Sequence, residues 1–314
     1  MSTQTESMKR GPAGLTPAPL GRHASAHLSR HRVAYLYLLP ALILVVGVIY
    51  AGVGYNGWVS TLDWNGISPT PRSVGLGQYG KALGDPIVWS ALWHTGVFAV
   101  LTILVQMALG LLMALVLTVP VRFANLYRVL MFVPVVMAPA AVSSAFRAIL
   151  QPDGQVNAVL DALGLGGLGQ AWLADPSLAL ISLAGINIWQ WTGFSFILYQ
   201  AALSQIDASV VEAAQMDGAS PWRLVRSVVV PQLSGTHATL AITGLIGALK
   251  TFDLVYLTTG GGPARSTEFL TTYIYEQTVD RFNAGYGAAL SMILLVLAMA
   301  LTIAQMAAYR FGRK

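Results

Sequence analysis

The sequence predicts an all-α, polytopic membrane protein with six transmembrane helices. Three observations carry that expectation. Only 10% of the 314 residues are charged, against roughly 25% in an ordinary soluble domain, too few to coat a water-facing surface. The mean hydropathy is +0.62, which excludes a disordered chain. Asp, Glu, Lys and Arg are absent from six stretches, 33–62, 86–121, 129–146, 176–206, 227–249 and 282–309. Each reaches the ~18 residues that a helix needs to cross roughly 30 Å of hydrocarbon. Backbone polar groups cannot stay unpaired in lipid, so these stretches are expected to be helical.

The spans are placed, in order, at 33–57, 88–119, 127–150, 178–203, 233–257 and 286–309. Residues 1–32 are polar and rich in Pro, Ser and Gly. They read as a loosely ordered basic tail rather than a cleaved leader, because the apolar run that follows is too long. With the N-terminus cytoplasmic, the inside segments hold Lys9, Arg10, Arg22, Arg30, Arg32, Arg122, Arg128, Arg223, Arg226, Arg310, Arg313 and Lys314. The outside holds Arg72, Lys81, Arg147, Arg265 and Arg281. Twelve against five puts both termini inside. The chain then divides into the tail (1–32), the first span with its outside loop (33–87), a core (88–309) and a short cytoplasmic C-terminus (310–314).

Several chemistries are excluded. The chain has no cysteine, hence no disulfide framework, thiolate metal site or thiol nucleophile. The G-x-G-x-x-G matches at 52–57 and 164–169 follow no strand and open no βαβ unit, so they read as flexible turns. Residues 244–251, GLIGALKT, place Leu249 where a phosphate loop needs its second Gly. His23, His27 and His31 recur every four residues, but upstream prolines and weak helix propensity favour a tail near anionic lipid over a metal site. No Ser-His-Asp order, paired catalytic carboxylates or H-E-x-x-H occurs. His94 and His237 are isolated and expected to hydrogen-bond neighbouring helices.

The loop 204–233 has an architecture of its own. Asp207 or Ser209 can cap a short helix through Ala213-Ala214. Gly218 can stop it in a left-handed turn. Ser220-Pro221 then supplies a cap followed by Pro at the first helical position. Pro231 disturbs the second helix where the fifth span begins. The expectation is a helix–turn–helix bracket on the cytoplasmic face.

Glu212-Ala213-Ala214, Gly218 and Pro231 resemble the EAA loop of ABC importer permeases, whose pattern is E-A-A-x-x-x-G, nine variable residues, then I-x-L-P. Val228 and Val230 are mild departures from it. Asp217 precedes the glycine. Residues 252–263, FDLVYLTTGGGP, look like the F-D-x-x-Y-x-L-T-G-G-G-P segment of sugar-importer permeases. The likeness extends over about 33–309, with Phe146 where many relatives have Trp and His94 where Asn is common.

The resemblance implies a type I importer of two permease subunits, two cytoplasmic ATPase subunits and an extracytoplasmic solute-binding protein. This chain would be one permease of a heterodimer in a bacterial inner membrane, carrying a sugar and binding no nucleic acid. It would hold no cofactor or metal and catalyse no reaction, with ATP and Mg on the partner ATPase. The bracket would be the coupling helix, and Glu212 would meet the ATPase; helix-dipole stabilisation is the plainer role for that carboxylate. Lys250 and Asp253, three residues apart, are expected to share a helical face, as pathway groups or as a structural pair. Tyr256 and the turn of Gly260, Gly261, Gly262 and Pro263 are expected at an outer gate or docking surface. Asn187, Gln190, Thr192 and Gln200 either line a pathway or form a helix-packing face. A polyol or glycerol phosphate is the alternative solute. An ion-coupled transporter would need more intramembrane acid than Asp253.

Overall fold

A computed structural model describes residues 37–118 and 122–311; the N-terminal tail with its three histidines lies outside them. Two compact units divide at Tyr55. The first consists, among described residues, of most of helix α1 (Tyr37–Val59). Its residues 37–55 are all exposed, as an apolar segment meant for lipid is in the absence of lipid.

The second unit begins with a two-stranded hairpin, β1 (Leu62–Asp63) and β2 (Arg72–Ser73), antiparallel with Leu62 opposite Ser73. The short helix α2 (Gly77–Leu83) follows, then α3 (Pro86–Val116), a 31-residue span. Asp85 caps α3 by accepting the Ile87 N–H at 2.9 Å, with Pro86 in the first turn, the arrangement that suits a helix start. Helices α4 (Ala124–Val136) and α5 (Pro139–Ile149) meet at 95°. The expected third span, 127–150, is therefore not one helix. Ala138 precedes Pro139 and takes an extended conformation, because the proline ring disfavours helical geometry in the residue before it.

Helix α6 (Gln155–Ala162) lies in the loop before α7 (Ala179–Leu203), the fourth span. Helix α8 (Ala208–Met216) leaves α7 at 77°, and α9 occupies 221–232. The fifth span is shorter than expected. Helix α10 (Ser234–Lys250) has 17 residues, and the chain breaks at Thr251-Phe252 before α11 (Asp253–Thr258). Helix α12 (Leu270–Tyr275) continues as a π-turn to Asp280, and α13 (Ala284–Phe311) is the last span. Among the described residues α1, α3 and α13 each meet the length and hydropathy of a span, and the two bent pairs bring that number to five.

Three apolar clusters stack along the bundle. The central one joins Phe98, Val142, Leu183, Ile186, Val255 and Phe269. Ala114, Phe196, Tyr199, Val229, Leu233 and Leu240 fill the end near α8 and α9. Ala82, Val88, Leu270, Tyr273, Tyr286 and Leu290 fill the other end. Helices α3 and α7 approach closely at Gly110, where a Cβ would stand 2.7 Å from the Ser195 Cβ and 2.8 Å from the Phe196 nitrogen. Small residues at such crossings let backbones meet, which is how helices associate without a water-driven hydrophobic effect.

Candidate functional site

The bracket forms from local signals. Asp207 accepts the Ser209 N–H at 2.9 Å, and that bond holds its carboxyl below the ordinary carboxylate range. Helix α8 ends as the Ala219 N–H reaches the Ala214 carbonyl and the Gly218 N–H reaches the Gln215 carbonyl, both at 3.0 Å. This is the Schellman pairing, and it requires the left-handed φ of +75° that Gly218 adopts. Ser220 caps α9 by accepting the Arg223 N–H at 3.4 Å, with Pro221 next. Pro231 has no N–H to give, and the preceding turn, Val225–Val229, widens to a π-turn, a register that accommodates the missing bond.

No residue of α8 is buried. Glu212, Ala213 and Asp217 are exposed and Ala214 is half-buried. Met216 is 89% exposed and Trp222 72%. Val229 and Leu233, by contrast, are buried against the α7 and α10 side chains Tyr199 and Leu240. The bracket thus has a rooted side and an open apolar side.

The GGGP turn follows α11, beyond the end of α10 that lies away from the bracket; α10 itself is about 25 Å long at 1.5 Å per residue. Lys250 closes α10 and Asp253 opens α11 across the helix break. The two do not share a helical face, and no ion pair joins them. Both are exposed, as is Tyr256. The ring of Tyr256 stacks on Phe252 at 5.0 Å and meets Tyr275 at 4.9 Å. Gly260 and Gly261 take positive φ, and the Gly262-Pro263 peptide is cis. A Cβ on Gly261 would stand 2.8 Å from a Glu268 carboxylate oxygen, so only glycine fits.

A polar network around this turn was not foreseen from sequence. Arg265 donates to both Glu276 oxygens and to Glu268, each at 2.9 Å. Arg281 pairs with Glu276 at 2.7 Å. The bond from Arg265 holds the Glu276 carboxyl below its ordinary value, whereas burial pushes Glu268 up. Tyr273, whose ring lies 5.7 Å from the Arg265 guanidinium, donates to Asp85 at 2.7 Å, and Tyr286 donates to the same oxygen at 2.8 Å. The signal for this cluster was present in the charges Arg265, Glu268, Glu276 and Arg281, yet only the fold brings them together.

Of the polar residues of the fourth span, Asn187 and Gln190 bond across to neighbouring helices. Gln106 on α3 donates to the Asn187 side-chain oxygen at 2.9 Å, and Gln190 donates to the Met137 carbonyl at the α4–α5 bend. Thr192 returns its hydroxyl to Ile188. Gln200 is half-buried. His237 lies 2.8 Å from the Tyr199 hydroxyl, and His94 3.2 Å from the Glu268 carbonyl. Both histidines thus bond neighbouring elements. No cluster of metal-ligating side chains occurs among the described residues.

Comparison with known proteins gives this arrangement a family. The lactose transport system permease of Rhizobium radiobacter is 36% identical over 88% of this chain and 93% of its own length. The sn-glycerol-3-phosphate transport system permease of Agrobacterium fabrum is 31% identical over 89% and 94%. A chain of a solved bacterial ABC transporter involved in alginate import superimposes with a TM-score of 0.79 at 22% identity, covering 92% of this chain and 99% of that one. The family profile described as binding-protein-dependent transport system inner membrane component matches residues 106–310. That match runs from within α3 to within the last turn of α13 and covers more than half of the chain, and the chain belongs to the family of inner membrane components of binding-protein-dependent transport systems.

Proposed function

We propose that this chain is one permease subunit of an ABC importer for a sugar or oligosaccharide, paired with a second, different permease. One of two ATPase subunits docks on its bracket from the cytoplasm, the other on the second permease, and an extracytoplasmic binding protein delivers solute at the opposite end. ATP and Mg belong to the ATPase partners, and both termini are cytoplasmic. The observation that carries this reading is the bracket: two capped helices around Gly218, rooted by Val229 and Leu233, with Met216 and Trp222 open to solvent. Large apolar side chains left open to solvent mark an interaction site. When ATP closes the ATPase pair, such brackets move as rigid bodies and turn the permease pair from inward- to outward-facing.

The sugar assignment rests on the FDLVYLTTGGGP segment and on the lactose permease among the relatives. The glycerol-phosphate relative keeps a polyol or glycerol phosphate as the alternative. The solute held by the co-purifying binding protein decides between them. Sidedness is tested by cysteine labelling, since the chain has no native cysteine. Ala264 and Ser220 are exposed, whereas the Ser266 hydroxyl is buried. In intact cells Ala264→Cys reacts with an impermeant maleimide and Ser220→Cys reacts only after the membrane is opened. The reverse pattern overturns the coupling role, the direction of transport and the partner assignment together.

A further inference from the structure

Every ion pair among the described residues belongs to one cluster, and Arg265 makes two of the three. The backbone there is unusual. Ala264 and Arg265 have φ of +48° and +62°, a region that residues with a Cβ avoid. Below them, Thr267 donates its hydroxyl to the Gly262 carbonyl at 2.6 Å, and Glu268, only 5% exposed, accepts from Thr272 at 2.6 Å. Gly260 and Ala264 themselves are open to solvent. At those two positions the turn presents little more than backbone. A surface made of backbone is recognised only if its conformation is already set, because ordering it during association weakens binding.

We propose that Arg265 is a positioning residue: held between Glu268 and Glu276, it fixes the GGGP turn in the shape on which the extracytoplasmic binding protein docks. The inference rests on the sidedness and partner proposed above. The bidentate bond to Glu276 ties the turn to the continuation of α12, and Arg281 ties Glu276 to the segment that leads into α13. Two planar hydrogen bonds fix direction as well as distance, which a single lysine contact does not. Tyr273 under the guanidinium, and its bond to Asp85, extend the support to the N-terminus of α3.

The test uses Arg265→Ala, Arg265→Lys and Glu276→Gln in the full transporter in lipid nanodiscs, with the cognate binding protein titrated against ATPase activity. All three variants raise the half-saturating concentration of binding protein, Arg265→Ala and Glu276→Gln about tenfold (about 1.4 kcal/mol), while the rate at saturation is kept. A spin label on Ala264→Cys, read without binding protein, becomes mobile in each variant. Glu276→Gln is nearly isosteric and leaves Arg265 present, so it separates clamping from direct contact. If it leaves both the titration and the label unchanged while Arg265→Ala weakens docking, Arg265 touches the partner itself and the positioning role is wrong. A loosened label with an unshifted titration also overturns it. If the parent transporter does not respond to binding protein at all, the proposed function fails instead, and the label result alone still judges the clamp.

Discussion

Gly218→Val separates backbone from side-chain effects in the bracket. Gly218 has φ of +75°, and nothing stands within 4 Å of where its Cβ would be. The cost is therefore conformational, with no clash to relieve. A Cβ at left-handed φ costs roughly 1–2 kcal/mol, and β-branching puts valine at the upper end. Escaping that strain requires giving up the two bonds that close α8, from Ala219 to Ala214 and from Gly218 to Gln215. Each contributes about 0.5–1.5 kcal/mol. About 2 kcal/mol lowers the population of the turn some thirtyfold, at a factor of ten per 1.4 kcal/mol. Because α8 carries no buried residue, the rest of the fold is spared. The assay is binding-protein-stimulated ATPase activity of the reconstituted transporter, with a thermal melt of the same sample. Valine abolishes stimulation and leaves the melt within a few degrees of the parent. Asparagine, which tolerates left-handed φ, retains stimulation. Parental coupling in the valine variant, or equal loss with asparagine, refutes the reasoning.

Glu212→Ala lowers the yield of ATPase in a pull-down if this exposed carboxylate meets the partner; unchanged yield and uptake leave it a minor contributor to the bracket helix. Gly110→Ala drives a methyl into the backbone of α7 at Ser195 and Phe196, and a destabilisation of about 1–3 kcal/mol is expected in a detergent melt. Glu276 supplies a pH signature with a definite sign. Its folded pKa lies below the ordinary 4.5, so its contribution is complete above that value and is lost as pH falls through the depressed one. The stability gap between the parent and Glu276→Gln, followed by thermal melts, stays constant down to about pH 4.5 and closes below it.

What the sequence made legible was what neighbouring residues decide. The bracket depends on Asp207, Gly218, Ser220 and Pro221, each acting within a few residues of itself, and the structure forms it as those residues dictate. Span positions were legible because composition alone marks them. The break in the third span was signalled by Pro139, since the residue before a proline leaves helical geometry, but hydropathy reads through such a bend. The break at Thr251-Phe252 carries no comparable local mark, and it removed the expected shared face of Lys250 and Asp253. The network at the far end was the least legible. Asp85 meets Tyr273 and Tyr286 from 188 and 201 residues away, and nothing in sequence spacing encodes that meeting.

The fifth span links the two ends in a way that neither end explains alone. Its first turn follows Leu233, which is buried with Val229 against Phe196 and Tyr199. A displacement of the bracket is therefore passed to α10, because close-packed side chains transmit movement rather than absorb it. Its last residue, Lys250, stops short of the clamped turn. Between them lie Thr251 and Phe252, with the Thr251 carbonyl accepting the Thr271 hydroxyl at 2.6 Å and the Phe252 ring packed against both Tyr256 and Tyr275. A continuous helix here would carry any rotation of α10 straight into the GGGP turn and work against the ion pairs that hold it. The break separates a rod packed against the bracket from a turn held by Arg265, Glu268 and Glu276. It also leaves Lys250, Asp253 and Tyr256 exposed at the boundary between them.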